Sequence, residues 1–240
     1  MGPVPKALLA AIASLVLTAA AAAGERTADL ELVLLADASP SIDDAEIALQ
    51  RQGYAAAITH PEVLRAIAQG YDGRIAVTYV EWGGAASQEV VVPWTMIDGP
   101  ESAAAFAEAL VAPPRMAFGR NAIGSALAVA QALIEDNDIT GHRAVIDFSA
   151  DSANSWSGPP VGPVREEILA SGTTINGLAV LCRVCSGRPV DYDLEAAFAE
   201  RIVGGPGHFV VTADGATSFS EAVRKKLILE IADLAGSHGR

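Results

Sequence analysis

The sequence predicts an α/β protein with a mostly parallel central sheet, one antiparallel edge strand and helices on both faces of the sheet. Apolar, β-rich runs alternate along the chain with longer stretches of helical period, and strands that alternate with helices usually pair in parallel. Two of the β-rich runs are separated only by a short turn that contains two glycines, which is typical of an antiparallel hairpin. We therefore expect the second strand of this hairpin to lie at one edge of an otherwise parallel sheet.

The hairpin and a broken helix occupy the first half of the chain. Residues 74–82 and 89–94 are the two β-rich runs, and Pro93 at the end of the second run fits an edge strand because proline has no backbone N–H to donate. Residues 42–67 have a helical pattern that should break near Pro61, since proline disfavours helix at the residue before it.

The remaining elements follow from the same patterns. Glycine- and proline-rich stretches separate them and are predicted to be loops. The other predicted strands cover residues 32–36, 143–149, 173–181 and 208–212. The other predicted helices cover residues 100–110, 122–135, 164–170, 193–203 and 219–234.

The composition is that of a single folded domain. Hydrophobic residues make up 51% of the chain and charged residues 19%, which provides enough apolar material for a core. The formal net charge of −13 argues against nucleic acid as a partner, because no basic surface could neutralise the phosphates.

The N-terminal segment is interpreted as a secretory signal peptide. Residues 1–23 contain a single charge, Lys6, followed by an apolar run and an alanine-rich stretch with several cleavage options. An uncleaved membrane anchor is the alternative interpretation. We expect residues 24–240 to form the mature domain, without a membrane span, in the periplasm or secreted.

A group of oxygen-bearing side chains follows the first predicted strand. Asp37, Ser39 and Ser41 come directly after residues 32–36, at the carboxyl end of the strand, where open α/β sheets bind their ligands. Carboxylate and hydroxyl oxygens are hard donors that suit Mg²⁺ or Mn²⁺. A helix cap is the alternative explanation, in which Ser41 and Asp44 form a capping box.

The pattern Asp-x-Ser-x-Ser resembles the metal-ion-dependent adhesion site of von Willebrand factor A domains. In that family two further loops complete the site, one with a threonine in a Thr-x-x-Gly context before a helix and one with an aspartate after the fourth strand. Asn121 occupies the threonine position here, with Gly124 three residues later, and Asp151 follows the predicted strand 143–149. The order and spacing of these loops extend the resemblance over most of the chain. Further segments, such as residues 73–77 and 175–178, resemble an uncharacterised family of secreted bacterial von Willebrand A-like proteins.

The resemblance implies a Rossmann-like fold and a binding function rather than catalysis. It implies that one Mg²⁺ or Mn²⁺ ion is held by five residues, Asp37, Ser39, Ser41, Asn121 and Asp151. A protein or other acidic partner would then contribute a carboxylate to the ion. The exchange of threonine for Asn121 leaves a second interpretation open, which is a metal-free interaction scaffold. Trp156 lies in the polar loop beside Asp151 and is a candidate for an exposed ligand contact.

Two other motifs suggest different chemistry. Cys182 and Cys185 are the two cysteines of the chain and are interpreted as a small disulfide in an exported protein, with a redox pair or a zinc site as alternatives.

Asp37-Ala38-Ser39 is faintly similar to the nucleophile block of small serine esterases, but no histidine lies in the sequence context that such enzymes need for a general base. Phosphate acceptance by Asp37 is a third possibility that lacks a neighbouring acid or lysine.

Overall fold

The computed structural model describes residues 26–181, 191–214 and 219–232. The predicted signal peptide, residues 1–23, and the predicted disulfide between Cys182 and Cys185 lie outside the described residues. In the described part of the chain, no helix is both long enough and apolar enough to cross a membrane.

Strands and helices alternate along the chain, as the sequence predicts. The strands are β1 (Arg26–Ala28), β2 (Leu30–Asp37), β3 (Ile75–Trp82), β4 (Gln88–Ile97), β5 (Ile139–Gly141), β6 (Ala144–Ala150), β7 (Thr174–Val180) and β8 (Val210–Ala213). The helices are α1 (Asp44–Ile58), α2 (Pro61–Ala68), α3 (Pro100–Val111), α4 (Ile123–Glu135), α5 (Val161–Ala170), α6 (Leu194–Arg201) and α7 (Phe219–Ala232).

Six of the strands form one sheet in the order β4-β3-β2-β6-β7-β8. Among the strand pairs of this sheet in the described residues, β3–β4 alone is antiparallel, and β4 lies at the edge. The predicted fold class is thereby confirmed. The position predicted for Pro93 is wrong, because the proline lies inside β4 rather than at its end. The pairing register shifts there, between the pairs Val77↔Thr95 and Tyr79↔Val92, and such an irregularity accommodates a residue that cannot donate to the ladder.

The sequence patterns miss a second, two-stranded sheet. β1 and β5 pair in parallel over three residues each, with Arg26 opposite Ile139 and Ala28 opposite Gly141. Strands of this length carry too little periodicity to be recognised in a sequence.

Helices cover both faces of the large sheet. On β2, Leu30, Leu32 and Leu34 belong to the core under α1, α2, α3 and α7, whereas Val33 and Leu35 belong to the core under α4, α5 and α6. A parallel strand buried on both faces reads as a continuous apolar run, which explains why residues 32–36 show no alternation. The loops at the carboxyl ends of β2 and β6 thus lie side by side above a rigid sheet.

Candidate metal site at the carboxyl end of the sheet

Three loops meet where the central strands end. β2 ends at Asp37, its neighbour β6 ends directly before Asp151, and Asn121 lies just before α4. Asp37, Ser39, Asn121 and Asp151 are buried, and Ser41 is partly exposed. The structure therefore brings together the loops that carry all five predicted site residues.

The two carboxylates of the site have oxygens without a protein partner. Oδ1 of Asp37 accepts a hydrogen bond of 2.7 Å from the backbone N–H of Ser39, which holds the carboxylate in place. Its Oδ2 is buried and has no hydrogen-bond partner among the described residues, and the same is true of Oδ1 of Asp151. Buried polar atoms are nearly always satisfied in folded proteins, so these two oxygens on adjacent loops are available to a further group.

The pKa values of the two carboxyl groups at the site also favour a cation there. Burial, and secondly the negative charge of Asp151, raise the pKa of Asp37 to about 7, although hydrogen bonds from Ser39 oppose the shift. Burial also raises the pKa of Asp151, and a hydrogen bond from Ser41 opposes that shift. Buried carboxylates of this kind bind a cation favourably, because the cation offsets the cost of holding their negative charge away from water.

The helix-cap explanation of Ser41 is wrong. Asp43 caps α1, because its carboxylate accepts a 2.9 Å hydrogen bond from the backbone N–H of Glu46. The side chain of Glu46 in turn accepts a 2.6 Å bond from the backbone N–H of Asp43, which completes a capping box two residues after the one predicted from Ser41 and Asp44. The hydroxyl of Ser41 lies instead 3.1 Å from the hydroxyl of Ser39, within the site.

The Asn121 loop is held from two sides. The backbone N–H of Trp156 donates a 2.7 Å hydrogen bond to the carbonyl oxygen of Asn121. A Cβ atom at Gly124 would collide with the carbonyl oxygen of Pro159, so only glycine permits this close approach of the loop after β6 to the start of α4. Within the described residues no hydrogen bond engages the side-chain amide of Asn121, which leaves its oxygen available as a ligand.

Trp156 is exposed beside the site, as predicted. Its side chain is 61% exposed, and the guanidinium of Arg120 lies 4.7 Å from the centre of its ring. This cation–π pair places an aromatic surface and a positive charge next to Asn121.

Sequence reasoning missed two residues that hold the site loops. The guanidinium of Arg115 donates to the carbonyl oxygens of Ala38, Ser39 and Ile42, with 3.0 Å to Ser39 and 2.7 Å to Ile42. The hydroxyl of Tyr192 accepts a 2.9 Å hydrogen bond from the backbone N–H of Ala153 and contacts the hydroxyl of Ser152, and so fixes the loop after Asp151. Neither residue lies in a recognisable motif, because each acts on backbone groups far away in the chain.

A second group of possible metal ligands lies at the opposite end of the sheet. Side-chain atoms of Asp29, Asp72 and His142 lie within 4.8 Å of one another. Both oxygens of Asp29 accept backbone N–H groups, from Asp72 at 2.9 Å and from Arg74 at 3.3 Å. These bonds tie the loop before β3 to the start of β2, which is a sufficient structural role for Asp29.

A family model described as "Protein of unknown function (DUF1194)" matches residues 27–235, nearly the whole described chain. The chain belongs to this family. A search of curated protein sequences finds no match to this member of the DUF1194 family.

Solved structures similar to this DUF1194 protein include a von Willebrand domain. The von Willebrand domain of the type V pili tip protein Mfa5 from Porphyromonas gingivalis matches with a TM-score of 0.56 and 10% identity, over 89% of this chain and 98% of that one. Proximal thread matrix protein 1 from the mussel byssus, with a zinc-occupied MIDAS motif, matches with a TM-score of 0.54 and 19% identity, over 88% of this chain. The pilus adhesin SpaC from Lactobacillus rhamnosus GG matches with a TM-score of 0.56 and 13% identity, over 86% of this chain.

These matches identify the fold as von Willebrand A-like, which confirms the resemblance drawn from the sequence motifs. The chain spans 30% of the SpaC chain and 48% of the mussel protein. At these identities the likeness concerns the fold alone.

Proposed function

We propose that this protein is an exported binding domain that uses a divalent metal ion to hold a protein or other acidic partner. The observation that carries the proposal is the pair of buried oxygens without partners, Oδ2 of Asp37 and Oδ1 of Asp151, on neighbouring loops. The metal would be held by Asp37, Ser39, Ser41, Asn121 and Asp151.

The donor set fits Mg²⁺ or Mn²⁺. Every side chain at the site offers oxygen, and Mg²⁺ prefers oxygen ligands in an octahedral arrangement. The hydroxyls of Ser39 and Ser41 and the amide of Asn121 carry no formal charge, so only two carboxylates oppose the charge of the ion. The two carboxylates balance the charge of a divalent ion without exceeding it, so a coordination position could still accept a carboxylate from the partner. This is recognition rather than turnover. The hydroxyl of Ser39 contacts the hydroxyl of Ser41, and among the described residues no histidine hydrogen-bonds to Ser39, as a general base would.

The surface beside the site suits an acidic partner. The chain carries a net charge of −13, yet the exposed residue next to Asn121 is Arg120, stacked on Trp156. An arginine held on an aromatic ring can pair with a carboxylate that approaches the metal. The similar structures include a pilus adhesin and a pili tip protein, which supports a binding role outside the cytoplasm, and residues 1–23 are proposed as the export signal.

Metal binding should depend on pH because a proton competes with the ion for Asp37. The pKa of about 7 means that the carboxyl group is mostly protonated at pH 6 and ionised at pH 8. We expect calorimetric titration of the chelator-stripped mature protein to show one saturable Mg²⁺ site, and the same with Mn²⁺. The affinity should be about tenfold higher at pH 8 than at pH 6.

The control for this titration is Asp44→Asn, which removes an exposed carboxylate close to the same loop. This variant should keep both the affinity and its pH dependence. Equal affinity at pH 6 and pH 8 in the parent would mean that Asp37 is not a ligand. Absence of binding at millimolar ion would instead support the metal-free scaffold, for which the asparagine at position 121 is the specific observation, and would direct the search to the surface around Trp156.

Arg115 should control metal affinity without touching the ion. Arg115→Met removes the donors that hold the carbonyl oxygens of Ala38, Ser39 and Ile42, so the loop with both serines loses its support. We expect Mg²⁺ affinity to fall about tenfold or more, as is usual when residues that orient metal ligands are removed. Calorimetric titration measures the loss. Arg201→Met, at an exposed arginine on α6, should bind Mg²⁺ like the parent, and an unchanged affinity in Arg115→Met would contradict a positioning role.

A further inference from the structure

A lysine and two carboxylates are enclosed together in the core between the sheet and the last helix. Lys226 and Glu230 lie one turn apart on α7, and Asp147 lies on the central strand β6. The side chains of Lys226 and Asp147 are 0% exposed, and that of Glu230 is equally buried. Nζ of Lys226 lies 2.8 Å from Oδ1 of Asp147 and 2.5 Å from Oε1 of Glu230.

The surroundings of this cluster are mainly apolar and aromatic. The ring of Phe209 lies with its centre 5.6 Å from Nζ of Lys226. Tyr54 and Tyr79 pack edge to face at 5.4 Å in the same core, and both rings are fully buried. Among the polar neighbours, the side-chain amide of Asn176 donates a 3.1 Å hydrogen bond to Oε1 of Glu230, and the guanidinium of Arg143 donates to the backbone carbonyl oxygen of Glu230. Bulk water is therefore excluded from the amine and from both acids.

An ion pair between the lysine and one of the acids leaves the second acid without a positively charged partner in this cluster. One lysine faces two acids, so full ionisation would leave an uncompensated negative charge in the core, which is costly. Burial raises the pKa of Glu230 to about 7 and raises that of Asp147, although the charge of Lys226 opposes both shifts. Among the described residues, neither oxygen of Asp147 has a hydrogen bond of good geometry, although Nζ of Lys226 lies 2.8 Å from Oδ1.

We propose that Lys226 and Asp147 join in an intramolecular amide bond, and that Glu230 transfers the proton that this condensation requires. The amine in its neutral form attacks Cγ of the protonated Asp147 carboxyl group and forms the new C–N bond. Glu230 accepts a proton from the nitrogen and delivers it to the departing hydroxyl group, which leaves as water. One C–O bond breaks, no electron is transferred to or from the protein, and Glu230 returns to its starting protonation state.

The fold holds the amine and the carboxyl group together, whereas in solution the two groups would have to meet by diffusion. Fixing two reactants at contact distance is equivalent to an effective concentration on the order of 10⁵ M or more. Burial favours the protonated form of the Asp147 carboxyl group, and an unprotonated lysine amine is a competent nucleophile. Glu230 contacts the reacting nitrogen, as a proton-transfer group must. The product would fasten the last helix to the central strand that leads into the Asp151 loop.

Mass spectrometry of the mature protein tests the proposal. After denaturation and reduction of any disulfide, the intact parent should be lighter than its sequence by the mass of one water molecule. Peptide mapping identifies the mature N-terminus and therefore the reference mass. The same digest should contain a branched peptide that joins the segments around Asp147 and Lys226, with no tryptic cleavage after Lys226.

Variants of adjacent residues provide matched controls. Lys226→Met and Asp147→Ala should have the full mass of their sequences, and so should Glu230→Gln, which keeps the shape of the side chain but cannot accept the proton. Lys225→Met alters the exposed neighbouring lysine and should still lose one water. A parent at its full sequence mass would overturn the proposal, whether or not any variant folds. Loss of water that maps elsewhere, for example to a succinimide, would overturn it equally, and a cross-linked Glu230→Gln would exclude proton transfer by Glu230.

Discussion

Asp37→Asn is expected to abolish Mg²⁺ binding and, at the same time, to make the metal-free protein more stable at pH 8. The substitution removes one of two negative charges that are buried together, and the new amide can still accept the hydrogen bond from the Ser39 backbone N–H. It also offers a donor to the orphaned Oδ1 of Asp151. Calorimetric titration measures the loss of binding, and urea denaturation in chelator measures the gain in the free energy of unfolding.

The sign of the stability change follows from the pKa of Asp37. The folded protein holds the pKa of Asp37 at about 7, above the ordinary aspartate value of 3.8, so between these pH values the folded state retains a proton that the unfolded state has already released. The metal-free parent therefore loses stability as the pH rises from about 4 to 7, by at most about 4 kcal/mol. Asp37→Asn should lack this loss and should exceed the parent most clearly at pH 8.

Two variants separate this effect from general damage to the loop. Asp37→Ala should also lose Mg²⁺ binding and keep the fold, but it leaves the Ser39 N–H without its acceptor and should gain less stability. Asp44→Asn should match the parent in both measurements. If Asp37→Asn bound Mg²⁺ like the parent, or were less stable than the parent at pH 8 without metal, the assignment of the site would be wrong.

Glu81→Ala is expected to be among the most destabilising single substitutions in the chain. Nη2 of Arg51 lies 2.7 Å from Oε1 of Glu81, and both side chains are almost fully buried. Removal of one partner leaves a buried charge uncompensated, which typically costs about 3–5 kcal/mol. The second oxygen of Glu81 also accepts a 2.9 Å hydrogen bond from the backbone N–H of Met116, which would be left unpaired. Urea denaturation compared with the parent measures the difference.

This ion pair also supports the site, because it anchors the loop that carries Arg115. Arg51 donates to the carbonyl oxygens of Pro113 and Pro114, and Glu81 holds Met116, so the residues on either side of Arg115 are fixed. Glu81→Ala should therefore weaken Mg²⁺ binding as well.

A surface ion pair provides the comparison. Glu62 lies 3.4 Å from Arg224 and is about half exposed, so Glu62→Ala should cost less than about 1 kcal/mol. A loss of stability of comparable size in Glu62→Ala and Glu81→Ala would show that burial of the Arg51–Glu81 ion pair is not the cause of the destabilisation. An unchanged Mg²⁺ affinity in a folded Glu81→Ala protein would show that the loop holds Arg115 in place without the side chain of Glu81.

Most of the fold could be predicted because most helices and strands have a recognisable pattern in a few consecutive residues. The apolar run that became β2, the proline that separates α1 from α2, and the glycine turn between β3 and β4 all depend on a few consecutive residues. Predictions were wrong or missing where the local signal was weak or ambiguous. β1 and β5 are three residues long, and the box that caps α1 begins at Asp43, although Ser41 is an equally suitable residue type.

The same distinction applies to the candidate site. The strand-end position of Asp37 was predictable because ligands bind at the carboxyl ends of parallel strands, and its convergence with Asn121 and Asp151 was predicted from the resemblance to von Willebrand A domains. The residues that hold these loops were not predictable. Arg115 reaches Ile42 across 73 positions of the chain, and Arg51 and Glu81 are 30 positions apart. Their pairing depends on how α1, β3 and the loop after α3 pack together.

The sequence by itself determined the succession of the main strands and helices and the chemical types at the strand ends, since these depend on local sterics and on the burial of apolar side chains. Only the tertiary structure decided which charges are enclosed together. The two orphaned oxygens above β2 and β6, and the contact of Lys226 with Asp147, arise from segments that are distant in the chain. A charged side chain has little effect on the stability of the fold at the surface, where water solvates it. In the core it has lost that water, so its stability depends on a partner of opposite charge or on hydrogen bonds.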